Sequence, residues 1–191
     1  MKIILASNSP RRKELLAGLG LPFEVNVLPD IDESYPQDME TLSVSEYIAN
    51  KKAAAYKNYI KKSTLVITAD TTVVLGKEIM GKPVDAEDAS RMLHELSGKT
   101  HQVVTGVCLT TPDEQHSFSV VTDVTFKELS DKEINYYISN YKPFDKAGAY
   151  GIQEWIGYIG CTRLEGSYYN VMGLPVQRIY TELCKMGVVC L

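Results

Sequence analysis

The sequence of 191 residues lacks any apolar run long enough to span a bilayer. Its apolar start, residues 1–6, is followed at once by polar residues 7–9 and is too short for the core of a signal peptide. We therefore predict a first strand there and no targeting signal. The expected location is the cytoplasm, without a membrane partner.

Metal-binding patterns based on cysteine and histidine are also missing. The four cysteines form no C-x-x-C pair, and the three histidines do not have the spacing of zinc ligands. The residues concerned are Cys108, Cys161, Cys184, Cys190, His94, His101 and His116. We expect the cysteines to be buried or surface thiols in a reducing compartment.

An excess of positive charge is absent as well. The formal net charge is -4 at pH 7, which argues against general nucleic-acid binding. A polyphosphate ligand would therefore need positive charge to be concentrated locally. With 45% hydrophobic and 23% charged residues and no internal repeats, the chain predicts one soluble domain over residues 1–191.

Hydrophobic periodicity and turn residues predict an α/β fold with a mixed sheet. Strands are expected at about 2–6, 65–75, 101–111 and 117–127, and helices at about 10–19, 43–62, 85–96, 131–141 and 174–186. Ser43 and Glu46 predict a capping box for the second helix. The loop 112–115 predicts a hairpin, and short strands are expected within the glycine- and tyrosine-rich segment 147–173.

The start of the first helix combines groups that suit an anion. Ser9 is a good N-cap and Pro10 suits the first helical position, while Arg11 and Arg12 lie in the first turn. Cations are unfavourable at this end of a helix, and a phosphate would relieve the conflict. Two solvated arginines on a surface helix are the alternative. The glycines of a P-loop are missing, which excludes a Walker-type site.

Asp70 lies inside a β-branched, apolar run that predicts a strand. A period of two places Asp70 on the same face as Thr68 and Thr72. Aspartate is disfavoured in strands and costly to bury alone, so it needs solvent, a cationic partner or a metal. A general base and an Mg²⁺ ligand are both open roles for this carboxylate.

Further charged residues suit phosphoryl chemistry. Lys52 interrupts the apolar face of the second helix, where it either extends to solvent or points into a cleft. Lys82 lies in a tight Gly-Lys-Pro connection and is either a solvated loop residue or a phosphate ligand. The acidic loop 30–34, which contains Glu33, is either a plain acidic turn or a source of a metal ligand.

Taken together, these segments resemble the Maf (septum-formation) family of nucleotide pyrophosphatases over essentially the whole chain. The matching segments are residues 7–12, Glu33, Lys52, residues 68–71, residues 81–83, residues 97–103, residues 145–153 and residues 166–175. Asn8 is a small departure from the residues that the family usually has at this position.

The resemblance implies a long, twisted mixed sheet flanked by helices, and two lobes with a cleft, similar to inosine triphosphate pyrophosphatases. It implies a nucleoside triphosphate substrate, cleavage between the α and β phosphates, and a divalent cation, Mg²⁺ or Mn²⁺. Asp70 would be the catalytic base. The implied phosphate ligands are Ser9, Arg11, Arg12, Lys52 and Lys82; the specificity positions are Arg12, Thr71 and Gln153; and the metal ligands are Glu33 and Asp70.

The form of the segment 145–153 is similar to that of the branch that hydrolyses dTTP and UTP, rather than the branch that favours 7-methyl-GTP. The resemblance therefore implies hydrolysis of dTTP and UTP, and leaves modified pyrimidine nucleotides open as further substrates. A side-chain amide such as that of Gln153 can pair with the O4/N3 edge of thymine or uracil. A pyrophosphatase for purine or modified nucleotides is one alternative function. A nucleotide-binding or DNA-binding regulator of cell division is another. The oligomeric state is open, and the resemblance makes a homodimer one alternative.

Overall fold

The structure, a computed structural model, describes residues 1–188. Within this range a mixed seven-stranded sheet is flanked by helices, which confirms the predicted α/β class. The strands are β1 (Lys2–Leu5), β2 (Phe23–Val25), β3 (Thr64–Leu75), β4 (Glu78–Met80), β5 (Thr100–Thr110), β6 (Gln115–Phe126) and β7 (Cys161–Glu165). The helices are α1 (Pro10–Ala17), α2 (Val44–Tyr56), α3 (Ala86–Leu96), α4 (Asp131–Tyr141), α5 (Trp155–Gly160), α6 (Tyr168–Val171) and α7 (Val176–Lys185). The strand order is β2-β1-β3-β5-β6-β7, and β4 pairs with β3.

The described chain forms two compact units. The first contains residues 1–70, 105–120 and the described residues from 173 onward, and the second contains residues 71–104 and 121–172. β3, β5 and β6 contribute residues to both units. The expectations of a single domain over residues 1–191 and of a cleft stay predictions.

In the first unit, parallel strands and α2 determine where Asp70 and Lys52 lie. β1 pairs in parallel with both β2 and β3, with Leu5 opposite Ile67. The Thr68 hydroxyl donates a hydrogen bond of 2.8 Å to the carbonyl oxygen of Ala49, which links β3 directly to α2. Thr68 lies two residues before Asp70 in β3, and Ala49 lies three residues before Lys52 in α2, so this buried bond fixes the two segments that carry the charged pair.

The predicted start of α2 is confirmed, with Ser43 as its N-cap, but the predicted capping box and the predicted end are wrong. Ser43 makes no side-chain capping bond, and Glu46 Oε1 accepts a 2.7 Å hydrogen bond from the distant Ser117 hydroxyl. The helix ends at Tyr56 rather than near residue 62. The next residues form turns, with the Tyr59 amide donating to the Tyr56 carbonyl at 2.8 Å, and Ser63 has a φ of 59° that no right-handed helix continues.

In the second unit, the apolar face predicted for α3 is confirmed. Its four members, Ala89, Met92, Leu93 and Leu96, are all at most 4% exposed. The expectation of several short strands in residues 147–173 is wrong, because only β7 forms there and the other elements are short helices. Gly157 permits this arrangement, since a Cβ at that position would overlap the carbonyl group of Ile152.

An unusual feature of this core is a buried imidazole. His101 is 1% exposed, and its Nε2 lies 2.7 Å from the hydroxyl of Tyr150. The Phe126 and Tyr150 rings both contact it edge-on. Burial lowers the pKa of His101 to about 4, although the Asp123 carboxylate acts in the opposite direction. The imidazole is therefore neutral in the folded protein near pH 7.

We predict that the free energy of unfolding falls by about 3 kcal/mol as the pH is lowered from 6.5 towards 4, through His101 alone. Its folded pKa lies below its unfolded value, so its contribution is fully present above pH 6.5 and is lost at lower pH. Urea unfolding at several pH values measures this for the wild type and for His101→Gln, whose amide stays neutral. The wild-type curve should fall more steeply.

His94→Gln is the matched control, because His94 is exposed and its pKa is raised, chiefly by a hydrogen bond to Asp131. The His94→Gln substitution should change the pH dependence of the free energy of unfolding in the direction opposite to that of His101→Gln. Parallel curves for the wild type and His101→Gln would contradict the prediction.

Within residues 1–188, none of the helices combines the length and the apolar character that a bilayer crossing requires. Cys108, Cys161 and Cys184 are free thiols. The expectation for Cys190 lies outside the described residues.

Candidate functional site

The start of α1 has the local geometry predicted for it. Ser9 is the N-cap, and its hydroxyl accepts a hydrogen bond from the Arg12 amide at 3.4 Å. Pro10 is the first helical residue. The hydroxyl of Ser7, which is 7% exposed, accepts from the Ser9 amide at 3.2 Å and fixes the turn that leads into the helix. Phosphate binding here stays a prediction.

The Arg12 guanidinium connects α1 to the strand that carries Asp70. Its Nε donates to the Gly173 carbonyl and one terminal nitrogen donates to the Ala69 carbonyl, each at 2.8 Å. Arg12 is therefore half-buried rather than a solvated surface residue. Desolvation lowers the pKa of the guanidinium, and the neighbouring Asp70 carboxylate opposes this shift.

Asp70 has a cationic partner, which was one of the three outcomes left open. The Lys52 ammonium lies 2.8 Å from Asp70 Oδ1, and the two side chains are only 13% and 14% exposed. Lys52 thus turns away from solvent towards the strand. A carboxylate and an ammonium face each other in a place with little water, where charge interactions are strong.

Glu33 joins the same cation. Its Oε1 lies 3.0 Å from the Lys52 ammonium, although the Glu33 side chain is 53% exposed. The preceding lysine makes similar contacts with the same loop. The Lys51 ammonium lies 2.7 Å from Asp32 Oδ2 and donates to the Ser34 carbonyl at 2.8 Å. Two adjacent lysines of α2 therefore hold the acidic loop 30–34 in place.

Six of the predicted site residues lie in the first unit. Charge interactions connect Arg12 with Asp70, Arg11 and Glu33, and Lys52 bridges the two carboxylates. The residues of this set are Ser9, Arg11, Arg12, Glu33, Lys52 and Asp70. An acidic chain therefore concentrates cations beside a strand carboxylate, as a polyphosphate site requires.

The other three predicted residues lie in the second unit. Thr71 follows Asp70 directly and is half-buried. Lys82 is exposed in its connection, which is fixed by a 3.0 Å hydrogen bond from the Gly148 amide to the Gly81 carbonyl. Gln153 is half-buried. That these residues share one pocket with Asp70 stays a prediction.

A polar network beside Gln153 was missed from the sequence. Tyr137 donates a hydrogen bond to Glu154, and the Lys146 ammonium lies 3.1 Å from the same carboxylate. Lys146 was part of the matching segment 145–153 but received no role. A lysine and a glutamate eight residues apart in a loop give no periodic signal, and Tyr137 belongs to a different element.

Glu33 and Asp70 are the two predicted residues that could hold a divalent cation. Their carboxylate oxygens converge on one ammonium group, and hard oxygen ligands suit Mg²⁺ or Mn²⁺. In the part of the chain that the structure describes, no three His, Cys, Asp or Glu residues cluster as a complete metal site. Water and phosphate oxygens would therefore have to complete the coordination, which is the usual mode of Mg²⁺ with nucleotides.

Solved structures support the fold. The structure of the Staphylococcus aureus Ham1 protein superposes with a TM-score of 0.52 at 18% sequence identity, covering 95% of this chain and 98% of that chain. At this level of identity the likeness concerns the fold alone.

Sequence comparison identifies much closer relatives. A Phocaeicola vulgatus protein named dTTP/UTP pyrophosphatase is 64% identical over 185 residues, covering 97% of this chain and 96% of the relative. A Bacteroides thetaiotaomicron protein of the same name is 56% identical with the same coverage. The sequence profile described as Maf-like protein matches residues 2–186. The chain therefore belongs to the Maf-like protein family.

Proposed function

We propose that this protein hydrolyses dTTP and UTP to the nucleoside monophosphate and pyrophosphate. The observation that carries the proposal is the ion pair between Asp70 and Lys52, whose side chains are largely buried. Glu33 and Arg12 lie beside this pair. The names of two relatives at 64% and 56% identity support the choice of substrate.

In the proposed reaction, a water oxygen attacks the α-phosphorus and the bond to the bridging oxygen of the β-phosphate breaks. Pyrophosphate leaves with the electron pair of that bond. Asp70 takes the proton from the water. Because Asp70 Oδ1 accepts from Lys52, we assign the proton to Oδ2.

The cationic residues act on the phosphates. Arg11, Arg12, Lys52 and Lys82 would stabilise the negative charge that develops on the leaving pyrophosphate, and the Ser9 hydroxyl would donate a hydrogen bond. Arg12 already donates to two backbone carbonyls, so its orientation is fixed before substrate binds. Such preorganisation reduces the reorganisation needed during the reaction.

Glu33 and Asp70 would hold the divalent cation. When bound, it supplies positive charge that offsets the charge of the triphosphate. Because the Lys52 ammonium contacts both carboxylates, a divalent cation would compete with it for the same two groups. Both residues therefore have to be tested for metal binding as well as for activity.

Pyrophosphate release from a panel of triphosphates tests the proposed function. We expect release from dTTP and UTP with Mg²⁺ or Mn²⁺, and slower release from CTP and from purine nucleotides. Binding without pyrophosphate release would support the regulator instead. A preference for a purine or modified nucleotide would transfer the activity to another substrate class.

Gln153→Ala should reduce the preference for UTP over CTP by about tenfold, with a smaller effect on kcat for UTP. Uracil presents an N3–H donor and an O4 acceptor, to which a side-chain amide is complementary. Steady-state kinetics with both nucleotides measure the ratio. Gln177→Ala, on the exposed side of α7, is the matched control. Equal losses on all nucleotides would argue against base recognition by Gln153.

We also propose a cytoplasmic location, which rests on the sequence, and a homodimer, which rests on the resemblance to the family. Fractionation of cells and light scattering of the purified protein would test them.

A further inference from the structure

Gln153 lies in a tight turn that leads into α5. The Glu154 amide donates to the Gly151 carbonyl at 2.9 Å, which leaves Ile152 and Gln153 as the two central residues. Glu154 is also the N-cap of α5, where its carbonyl accepts from the Gly157 amide at 2.9 Å. The backbone on both sides of Gln153 is therefore fixed.

Three side chains hold this turn, and we name Tyr137, Lys146 and Glu154 the turn clamp. The Tyr137 hydroxyl donates to Glu154 Oε2 and accepts from the Gly151 amide at 3.0 Å, so it binds both ends of the turn. Burial and the Glu154 carboxylate raise the pKa of Tyr137, which keeps the hydroxyl protonated as a donor. Tyr137 is 0% exposed.

Lys146 supplies the opposite charge. Its ammonium lies 3.1 Å from Glu154 Oε1 and 2.7 Å from Asp145 Oδ1, and its side chain is only 8% exposed. Breaking a pair of this kind by removing one member leaves a buried charge unbalanced. The Glu154 carboxylate is thus held from two sides, by Lys146 and by Tyr137.

The orientation of the Gln153 amide decides what it can recognise. A side-chain amide that is free to rotate by 180° can pair with uracil or with cytosine, since it presents a donor and an acceptor in either order. Discrimination requires one orientation to be favoured. Gln153 Nε2 and Glu154 Oε2 lie 2.9 and 3.1 Å from the position that a Cβ on Gly151 would occupy. Both atoms therefore lie beside Gly151, where the negative charge of the carboxylate favours the NH₂ end of the amide over its oxygen end.

The other end of the amide lacks a hydrogen-bond partner within the described part of the chain. Gln153 Oε1 is buried and has no hydrogen-bond partner among residues 1–188. A buried acceptor without a partner is costly unless a ligand supplies a donor. The N3–H group of uracil or thymine is such a donor, whereas cytosine has an acceptor at N3.

We propose that the turn clamp positions the Gln153 amide with its oxygen towards the base, and thereby sets the preference for uracil and thymine over cytosine. This inference rests on the proposed function. Tyr137, Lys146 and Glu154 are positioning residues that act through Gln153.

Glu154→Gln and Tyr137→Phe test the proposal. Each should reduce the UTP-to-CTP ratio of kcat/KM by about fivefold to tenfold, the effect of losing one hydrogen bond, while kcat for UTP changes less. Tyr136→Phe is the matched control, since it removes a hydroxyl from the neighbouring, half-exposed tyrosine of α4. An unchanged ratio in the folded Glu154→Gln and Tyr137→Phe proteins, with a reduced ratio in Gln153→Ala, would overturn the proposal.

Lys146→Met extends the test to the third member. In a double-mutant cycle with Glu154→Gln, the double variant should lose less base preference than the product of the two single losses. Both substitutions act on the same carboxylate, so their effects overlap. Lys132→Met, on an exposed position of α4, should leave the ratio unchanged. Fully multiplicative losses would contradict a common positioning role.

Hydrogen exchange gives a measurement that does not depend on catalysis. Amides of residues 151–154 should exchange faster in Tyr137→Phe than in Tyr136→Phe, with other segments unchanged. If the wild type releases no pyrophosphate from dTTP or UTP, the proposed function fails, and exchange still decides whether the clamp holds the turn. If exchange is equal in both variants, the clamp fails even when the enzyme is active.

Discussion

Asp70→Asn is expected to lower kcat for dTTP at least about 10²-fold, the usual scale for loss of a general base. Asparagine has nearly the same shape, and its oxygen can still accept a hydrogen bond from Lys52, which lies 2.8 Å from Asp70 Oδ1. The fold should therefore be retained while the proton acceptor is lost. Pyrophosphate release under saturating substrate measures kcat, and thermal unfolding checks the fold.

The dependence on metal concentration separates the two roles that were left open for Asp70. If Asp70 is the general base, additional Mg²⁺ or Mn²⁺ cannot replace it, so kcat of Asp70→Asn should stay low at saturating metal. A role as metal ligand alone would let activity recover as the metal concentration rises. Asp113→Asn, in the exposed loop between β5 and β6, is the matched control. Near-normal turnover of Asp70→Asn at low as well as at saturating metal would eliminate both roles.

Local chemistry explains which parts of the fold could be predicted. The start of α1 depends on Ser9 and Pro10, whose effects act within one turn, and the structure confirms both positions. The buried face of α3 follows from a period of 3.6 residues, which needs no knowledge of the packing partner. Capping residues and helical periodicity act between neighbours in the chain, so the sequence alone is enough to predict their effects.

The capping box predicted for α2 shows why other parts could not be predicted. Ser43 and Glu46 satisfy the pattern of a capping box, but Glu46 bonds to Ser117, which is 71 residues away in the chain. A local pattern cannot reveal a competing partner that only the fold brings close. The same applies to Tyr137 and Glu154, which are 17 residues apart and lie in different elements.

The candidate site lies between these cases. The sequence identified Asp70 and Lys52 separately, because Asp70 lies inside an apolar strand and Lys52 interrupts the apolar face of a helix. Their contact depends on the packing of α2 on β3, which the hydrogen bond from Thr68 to Ala49 maintains. The sequence therefore predicted the site residues as candidates, whereas the geometry that connects them required the structure.

Lys52→Met should lower kcat/KM for dTTP by about 10² to 10³, the range found when a preorganised donor to developing charge is removed. The Lys52 ammonium lies within 3.0 Å of both Glu33 and Asp70, and methionine keeps much of its length without the charge. Lys52→Arg should recover part of the activity, because the charge returns in a bulkier group. Lys57→Met, at an exposed position after α2, is the matched control.

Metal binding by the same variant should change in the opposite direction. Without the ammonium, one cation that competes for Glu33 and Asp70 is removed, so the affinity for Mn²⁺ should rise while activity falls. Titration calorimetry or the Mn²⁺ resonance signal measures this affinity without substrate. Tighter Mn²⁺ binding together with slower turnover would identify Lys52 as a phosphate ligand that shares its carboxylates with the metal. If both activity and Mn²⁺ affinity stay at the wild-type level, the contact between Lys52 and these carboxylates has no part in the reaction.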